Sequence, residues 1–147
     1  MLYFEDIQLN QEHKSKDYVV GKEEIIAFAK AWDPQPFHID EEEAKQWPLG
    51  LTASSVHSYA ICTLLANTMI GEPTAAVAGL GVDEMRMPAP VRPGDRLHCA
   101  SFVESKRDSK SKPNMGIITS VTKLINQNNE VVLSYKSSGL ILKRPAK

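Results

Sequence analysis

Asp33-Pro34-Gln35-Pro36-Phe37-His38 sets a carboxylate and an imidazole five residues apart, with two prolines between them. In an ideal helix the two side chains would diverge, and in a strand they would lie on opposite faces. The prolines forbid a helix and favour a bent, extended path, so the segment is expected as an irregular loop. A rigid bend of that kind aims both side chains into one cleft. A carboxylate and an imidazole on one water form a general acid–base pair. The imidazole titrates near neutral pH, so its surroundings set it as acid or base. On residue types alone a second reading stands beside this one: an Asp after a helix is often a cap or turn residue, and a lone surface His often does no chemistry.

The pair has helices on both sides. Lys22–Trp32 is expected to be a helix, because Ile25, Phe28, Ala29 and Trp32 form one apolar stripe. Glu23 and Glu24 suit its first turn, and it should stop at Asp33, which precedes a proline. Asp40 reads as the N-cap of a short helix over Glu41–Trp47, with Glu43 completing a capping box. A longer helix follows. Ser54 and Ser55 are good N-cap residues, and from Val56 to Ile70 the segment is apolar on almost every side, the mark of a buried helix. It is too short and too interrupted by polar residues to span a bilayer, which needs about 20 apolar residues. The chemistry is therefore expected at the N-terminal end of a central helix that the rest of the chain wraps.

The wrapping is expected to be strands. Residues 1–7 and 16–20 are candidate short strands near the N-terminus. From Ala75 onward the chain reads as strand, with a slip in alternation near Asp83 that suggests a bulge. Arg92-Pro93-Gly94-Asp95 has type II turn chemistry, Leu97–Glu104 alternates, and Ser105–Asn114 reads as a polar loop. Met115–Ile125 and Val131–Leu142 should pair as a hairpin around Gln127-Asn128-Asn129. Helices first and antiparallel strands afterwards argue an α+β fold. The 147 residues suit one domain over 1–147. The last strands are apolar on both faces, which hints at a second covered surface, such as a dimer partner. A net charge of −1 gives no reason to expect nucleic acid or a membrane surface as partner. Cys62 and Cys99 have neither metal-ligand nor disulfide-framework spacing, so no metal is expected. Buried free thiols fit a reducing cytosol, and no secretion signal is expected ahead of the early acid pair.

Taken together, Asp33-Pro34-Gln35-Pro36-Phe37-His38-Ile39-Asp40, Ala44, Gly50, Ser54-Ser55-Val56-His57 and Pro90–Asp95 resemble the MaoC-like dehydratases, which include the (R)-specific enoyl-CoA hydratases. The resemblance implies a hot-dog fold, in which an antiparallel sheet wraps a long helix. It implies a homodimer or higher homo-oligomer acting, without a cofactor, on an acyl thioester of coenzyme A or acyl-carrier protein. By position it implies that Asp33 and His38 hold the water that adds across the 2,3 double bond of an enoyl thioester. Such chemistry needs donors for the thioester oxygen, and the unpaired amides at a helix start supply them; Ser54, Ser55 and Val56 lie there. Gln35 stands where the family usually has Asn, and Ser55 where many members have Gly. His57 is expected to be structural. Lys106, Arg107, Lys110 and Lys112 are expected to be mainly solvated, and Trp32 and Trp47 to be core or site-wall residues. A thioesterase of the same fold and a non-catalytic thioester-binding protein are the competing readings.

Overall fold

The computed structural model describes residues 1–147. The helical half is α1 (Lys22–Trp32), α2 (Pro36–Ile39), α3 (Glu41–Ala44) and α4 (Ser55–Thr68). Two short strands precede it, β1 (His13–Lys14) and β2 (Tyr18–Val19). Four long ones follow: β3 (Ala76–Arg86), β4 (Arg96–Asp108), β5 (Met115–Ile125) and β6 (Val131–Leu142). The sheet order is β1-β4-β5-β6-β3, with β2 also pairing on β4, and every named pair is antiparallel.

The strongest local signals produce the expected elements. α1 has the expected limits and buries Ile25 and Ala29. Asp40 caps α3, its Oδ1 accepting from the amides of Glu42 and Glu43 at 2.9 and 3.0 Å, but the helix ends at Ala44, short of the expected Trp47. The β5–β6 hairpin pairs from Met115↔Leu142 to Ile125↔Val131. In the turn before β4, Gly94 takes φ +85°, as a type II turn requires. The slip near Asp83 is a break in register between Asp83 and Arg86, with Glu84 at φ 54°.

α4 lies on the sheet. Ile61, Cys62 and Leu65 share one apolar core with Leu97 and Cys99 of β4, Leu124 of β5, and Leu133 and Tyr135 of β6. The Cys62 and Cys99 thiols are free and face each other at 4.0 Å. A sheet wrapped around a long helix is the hot-dog arrangement.

Four expectations need correction. The N-terminus is not an edge strand over residues 1–7. Asp6 turns back to accept from the Tyr3 amide at 2.8 Å, winding Phe4–Asp6 into a 3-10 turn. β4 does not stop at Glu104: Ser105–Asp108 stay paired with β5, and Lys106 donates to the carbonyls of Phe4 and Ile7 instead of meeting solvent alone. The segment after Pro34 is not wholly irregular, because Pro36–Ile39 forms one helical turn. Pro36 starts that turn, where its missing N–H costs nothing and its fixed φ suits a helix. Finally, α4 is not buried all round. Val56 and Leu64 are about half exposed, because no other element of the chain covers that face.

Candidate active site

Asp33 is the residue on which α1 ends. Its N–H still donates to Ala29 O at 2.8 Å, but its backbone is extended at φ −155°, as Pro34 demands. Both carboxylate oxygens are held. Oδ1 accepts from Gln35 Nε2 at 2.9 Å, and Oδ2 accepts from the Ser54 hydroxyl at 2.7 Å. These two hydrogen bonds, Ser54's first, hold the Asp33 carboxyl below its ordinary pKa. Asp33 is therefore the carboxylate at neutral pH. The extra methylene of Gln35, compared with Asn, does not prevent its amide from reaching Asp33.

His38 is set by the helical turn α2 and is buried. Its Nδ1 lies 2.5 Å from the carbonyl of Thr52. A carbonyl only accepts, so Nδ1 carries the proton, and the tautomer this selects presents the lone pair of Nε2. That Nε2 lies 3.7 Å from Asp33 Oδ2, too far for a direct hydrogen bond. Two acceptors thus face each other across a gap. A water satisfies both by donating one hydrogen to each, which leaves its own lone pairs free to attack. Behind this pair stands an aromatic wall. Phe37 meets the His38 ring edge-on at 4.4 Å, and Trp47 meets Phe37 at 5.4 Å. Trp32, by contrast, is 73% exposed and belongs to neither core nor wall.

The N-terminus of α4 closes the site. Ser54 is fully buried and does two jobs with one hydroxyl: it accepts from the Val56 amide at 3.2 Å and donates to Asp33. Val56 N–H is therefore capped, which corrects its reading as a free donor. Ser55 N–H, next to it, has no acceptor within the chain. The link from Ser54 to Asp33 spans 21 residues and is not evident from the sequence, where Ser54 is simply a good cap. Thr52 was missed altogether, since it acts through a backbone carbonyl that any residue would supply.

A second polar cluster lies behind α4. His57 is buried and stacked on Phe28, with ring centroids 4.3 Å apart and 7° between planes. Its Nε2 is 3.4 Å from Glu24 Oε1, and neither this oxygen nor His57 Nδ1 has a hydrogen-bond partner. Burial lowers the His57 pKa, against a weaker pull from Glu24. Tyr18 donates to the other Glu24 oxygen at 2.5 Å, and that bond raises its pKa to about 12. Arg92 donates to the Leu49 carbonyl and Arg96 faces Asp17 at 3.8 Å, so both have structural partners. No group of three or more His, Cys, Asp or Glu side chains is placed to hold a metal ion.

The family described as MaoC like domain matches residues 6–124. The chain belongs to the MaoC-like family. The uncharacterized protein YdeM of Bacillus subtilis (strain 168) is 30% identical over 140 residues, which cover 93% of this chain and 96% of that one. The crystal structure of the MaoC-like dehydratase from Rhodospirillum rubrum superposes with a TM-score of 0.91 at 38% identity, covering 99% of this chain and all of the other. The unliganded (R)-hydratase of Pseudomonas aeruginosa shares the fold at a TM-score of 0.77 and 19% identity, covering 97% of this chain and 87% of that one. No helix of this MaoC-like protein is long and apolar enough to cross a membrane.

Proposed function

We propose that this protein is a hydro-lyase that reversibly hydrates a trans-2-enoyl thioester, carried by coenzyme A or acyl-carrier protein, to the (3R)-3-hydroxyacyl thioester. The observation that carries the reading is the pair of lone-pair-bearing groups, Asp33 Oδ2 and His38 Nε2, 3.7 Å apart, each held in its role by other hydrogen bonds. Water between them gives up one proton as its oxygen bonds to C3. The C2–C3 π electrons move toward the thioester carbonyl. The charge that develops on that oxygen meets the free Ser55 amide and the positive end of α4. The proton taken from water is then delivered to C2, and the other hydrogen stays in the new hydroxyl. Membership of a family that includes dehydratases and the fold shared with an (R)-hydratase support this reading.

The ultraviolet absorbance of the conjugated thioester tests it. Hydration removes the absorbance without releasing a free thiol, hydrolysis releases the thiol, and a simple binder does neither. Asp33→Asn and His38→Ala should each abolish turnover, by about two to four orders of magnitude, with unchanged circular dichroism. Wild-type rates in both variants would overturn the assignment.

A further inference from the structure

The candidate catalytic groups come from two helices. Asp33 ends α1, and Ser54 and Ser55 begin α4. Each group moves with its own helix. Asp33 N–H is bonded to Ala29 O at 2.8 Å, so the carboxylate is carried by the last turn of α1. Ser54 O accepts from Ser58 N–H at 3.0 Å, so the Ser54 hydroxyl and the Ser55 amide are carried by the first turn of α4. Whatever fixes α1 against α4 therefore fixes the 2.7 Å bond from Ser54 to Asp33. Ile25 anchors α1 in the apolar core, but it stands about 12 Å along the axis from Asp33.

One side chain of α4 meets α1 closer to the site, and at two successive turns. Glu24 and Phe28 are four residues apart on α1, so they share a face. His57, in the first turn of α4, meets both. Its ring lies flat on Phe28, with centroids 4.3 Å apart and 7° between planes, and its edge faces Glu24, Nε2 to Oε1 at 3.4 Å. Tyr18 of β2 holds the other Glu24 oxygen at 2.5 Å. Contact at two turns resists both rotation and sliding of α1 past α4. Phe28 stands about 7.5 Å along the axis before Asp33, and His57 about 4.5 Å beyond Ser54. His57 is buried, yet its Nδ1 and the facing Glu24 Oε1 have no hydrogen-bond partner. Such unpaired buried atoms are rare, because each costs free energy. Hydrogen bonding is therefore not what holds this ring in place. The flat face against Phe28 is.

We infer that His57 is a positioning residue: its ring, seated on Phe28, sets α1 against α4 and so keeps the Asp33 carboxylate on the Ser54 hydroxyl and in register with the Ser55 amide. It acts through Asp33 and Ser54, not on the substrate. The inference rests on the hydro-lyase reading for its effect on rate, but the alignment itself is independent of the substrate.

The test compares the wild type with His57→Ala, His57→Phe and Phe28→Leu. Turnover of trans-2-butenoyl-, trans-2-octenoyl- and trans-2-dodecenoyl-coenzyme A is measured per folded molecule, and the Asp33 carboxyl is titrated by carbon-13 NMR. In His57→Ala, kcat should fall about tenfold to a hundredfold, the cost of a misplacement near 1 Å, with KM within about threefold of the wild type. The Asp33 titration should move upward as the Ser54 bond loosens, since that bond is the first cause of its lowered pKa. Phe28→Leu, at a half-buried residue, should reproduce both effects. His57→Phe restores a flat ring, and should return kcat to within about threefold and the titration to its wild-type position. A residue that only stabilises the fold would lower the melting temperature and leave both readouts unchanged. That result overturns the inference and leaves the hydro-lyase reading standing, as does a His57→Phe that behaves like His57→Ala. If the wild type hydrates none of the three thioesters while the titration moves and recovers as stated, the hydro-lyase reading falls and the alignment stands. If there is neither hydration nor a moved titration, both fall. Should His57→Ala fail to fold, Phe28→Leu and His57→Phe decide the question by the same two readouts.

Discussion

Ser54 joins two functions that the sequence presents separately, the cap of α4 and the orientation of Asp33. Its hydroxyl is the main cause of the lowered Asp33 pKa, with Gln35 second. Because the folded-state pKa is depressed, the stabilisation it reflects is fully present above the unfolded-state value and disappears as pH falls through the folded one. Ser54→Ala should therefore move the Asp33 carboxyl titration upward, read by carbon-13 NMR, and cost about 0.5–2 kcal/mol of stability at neutral pH through the lost cap. An unmoved titration would show that Ser54 does not tune the carboxylate. Asp33 and His38 were legible as candidates from residue type and the intervening prolines alone. Their orientation was not, because Ser54 Oγ and the Thr52 carbonyl reach them across 21 and 14 residues.

At the scale of elements, local signals account for α1, the α3 cap, the Gly94 turn and the β5–β6 hairpin. Each is decided by neighbours within a few positions. The expectations that failed depended on remote partners. β4 runs past Glu104 because β5 pairs with it and because Lys106 holds the N-terminal turn. That turn is also packed against β5: a Cβ on Gly116 would come within 2.2 Å of the Phe4 ring. Gly116→Ala should displace Phe4 and lower stability by about 1–3 kcal/mol in urea denaturation, the usual cost of overpacking. His57 makes α1 and α4 pH-sensitive in a defined sense. Burial lowers its pKa from 6.5 in the folded state, so the unfolded chain takes up the proton first and stability drops as pH falls below about 6.5. Denaturation midpoints measured from pH 7.5 to 5 should fall less steeply in His57→Gln than in the wild type. Equal slopes would mean that the buried imidazole does not contribute.

On the scale of the whole molecule, β3 ends the sheet with an unpaired edge, and ten of its eleven residues are exposed. Val77, Leu80 and Val82 are each more than 40% exposed, as are Val56 and Leu64 of α4. A long apolar edge strand is an association site unless covered, which supports the homodimer that the family resemblance implies. Val77→Lys should then shift the sedimentation mass toward the protomer, whereas a protomeric wild type would remove the dimer from the account. The sequence by itself determined what neighbours in the chain decide: where α1 starts and stops, where α3 and α4 are capped, which turns close, and that an acid and an imidazole stand on either side of a proline-stiffened bend. It also carried enough of the family pattern to imply the fold. Only the tertiary structure decided which lone pairs face each other, which amide at the start of α4 stays free, and which ring of α1 the His57 imidazole meets. Those features depend on residues brought together from distant parts of the chain.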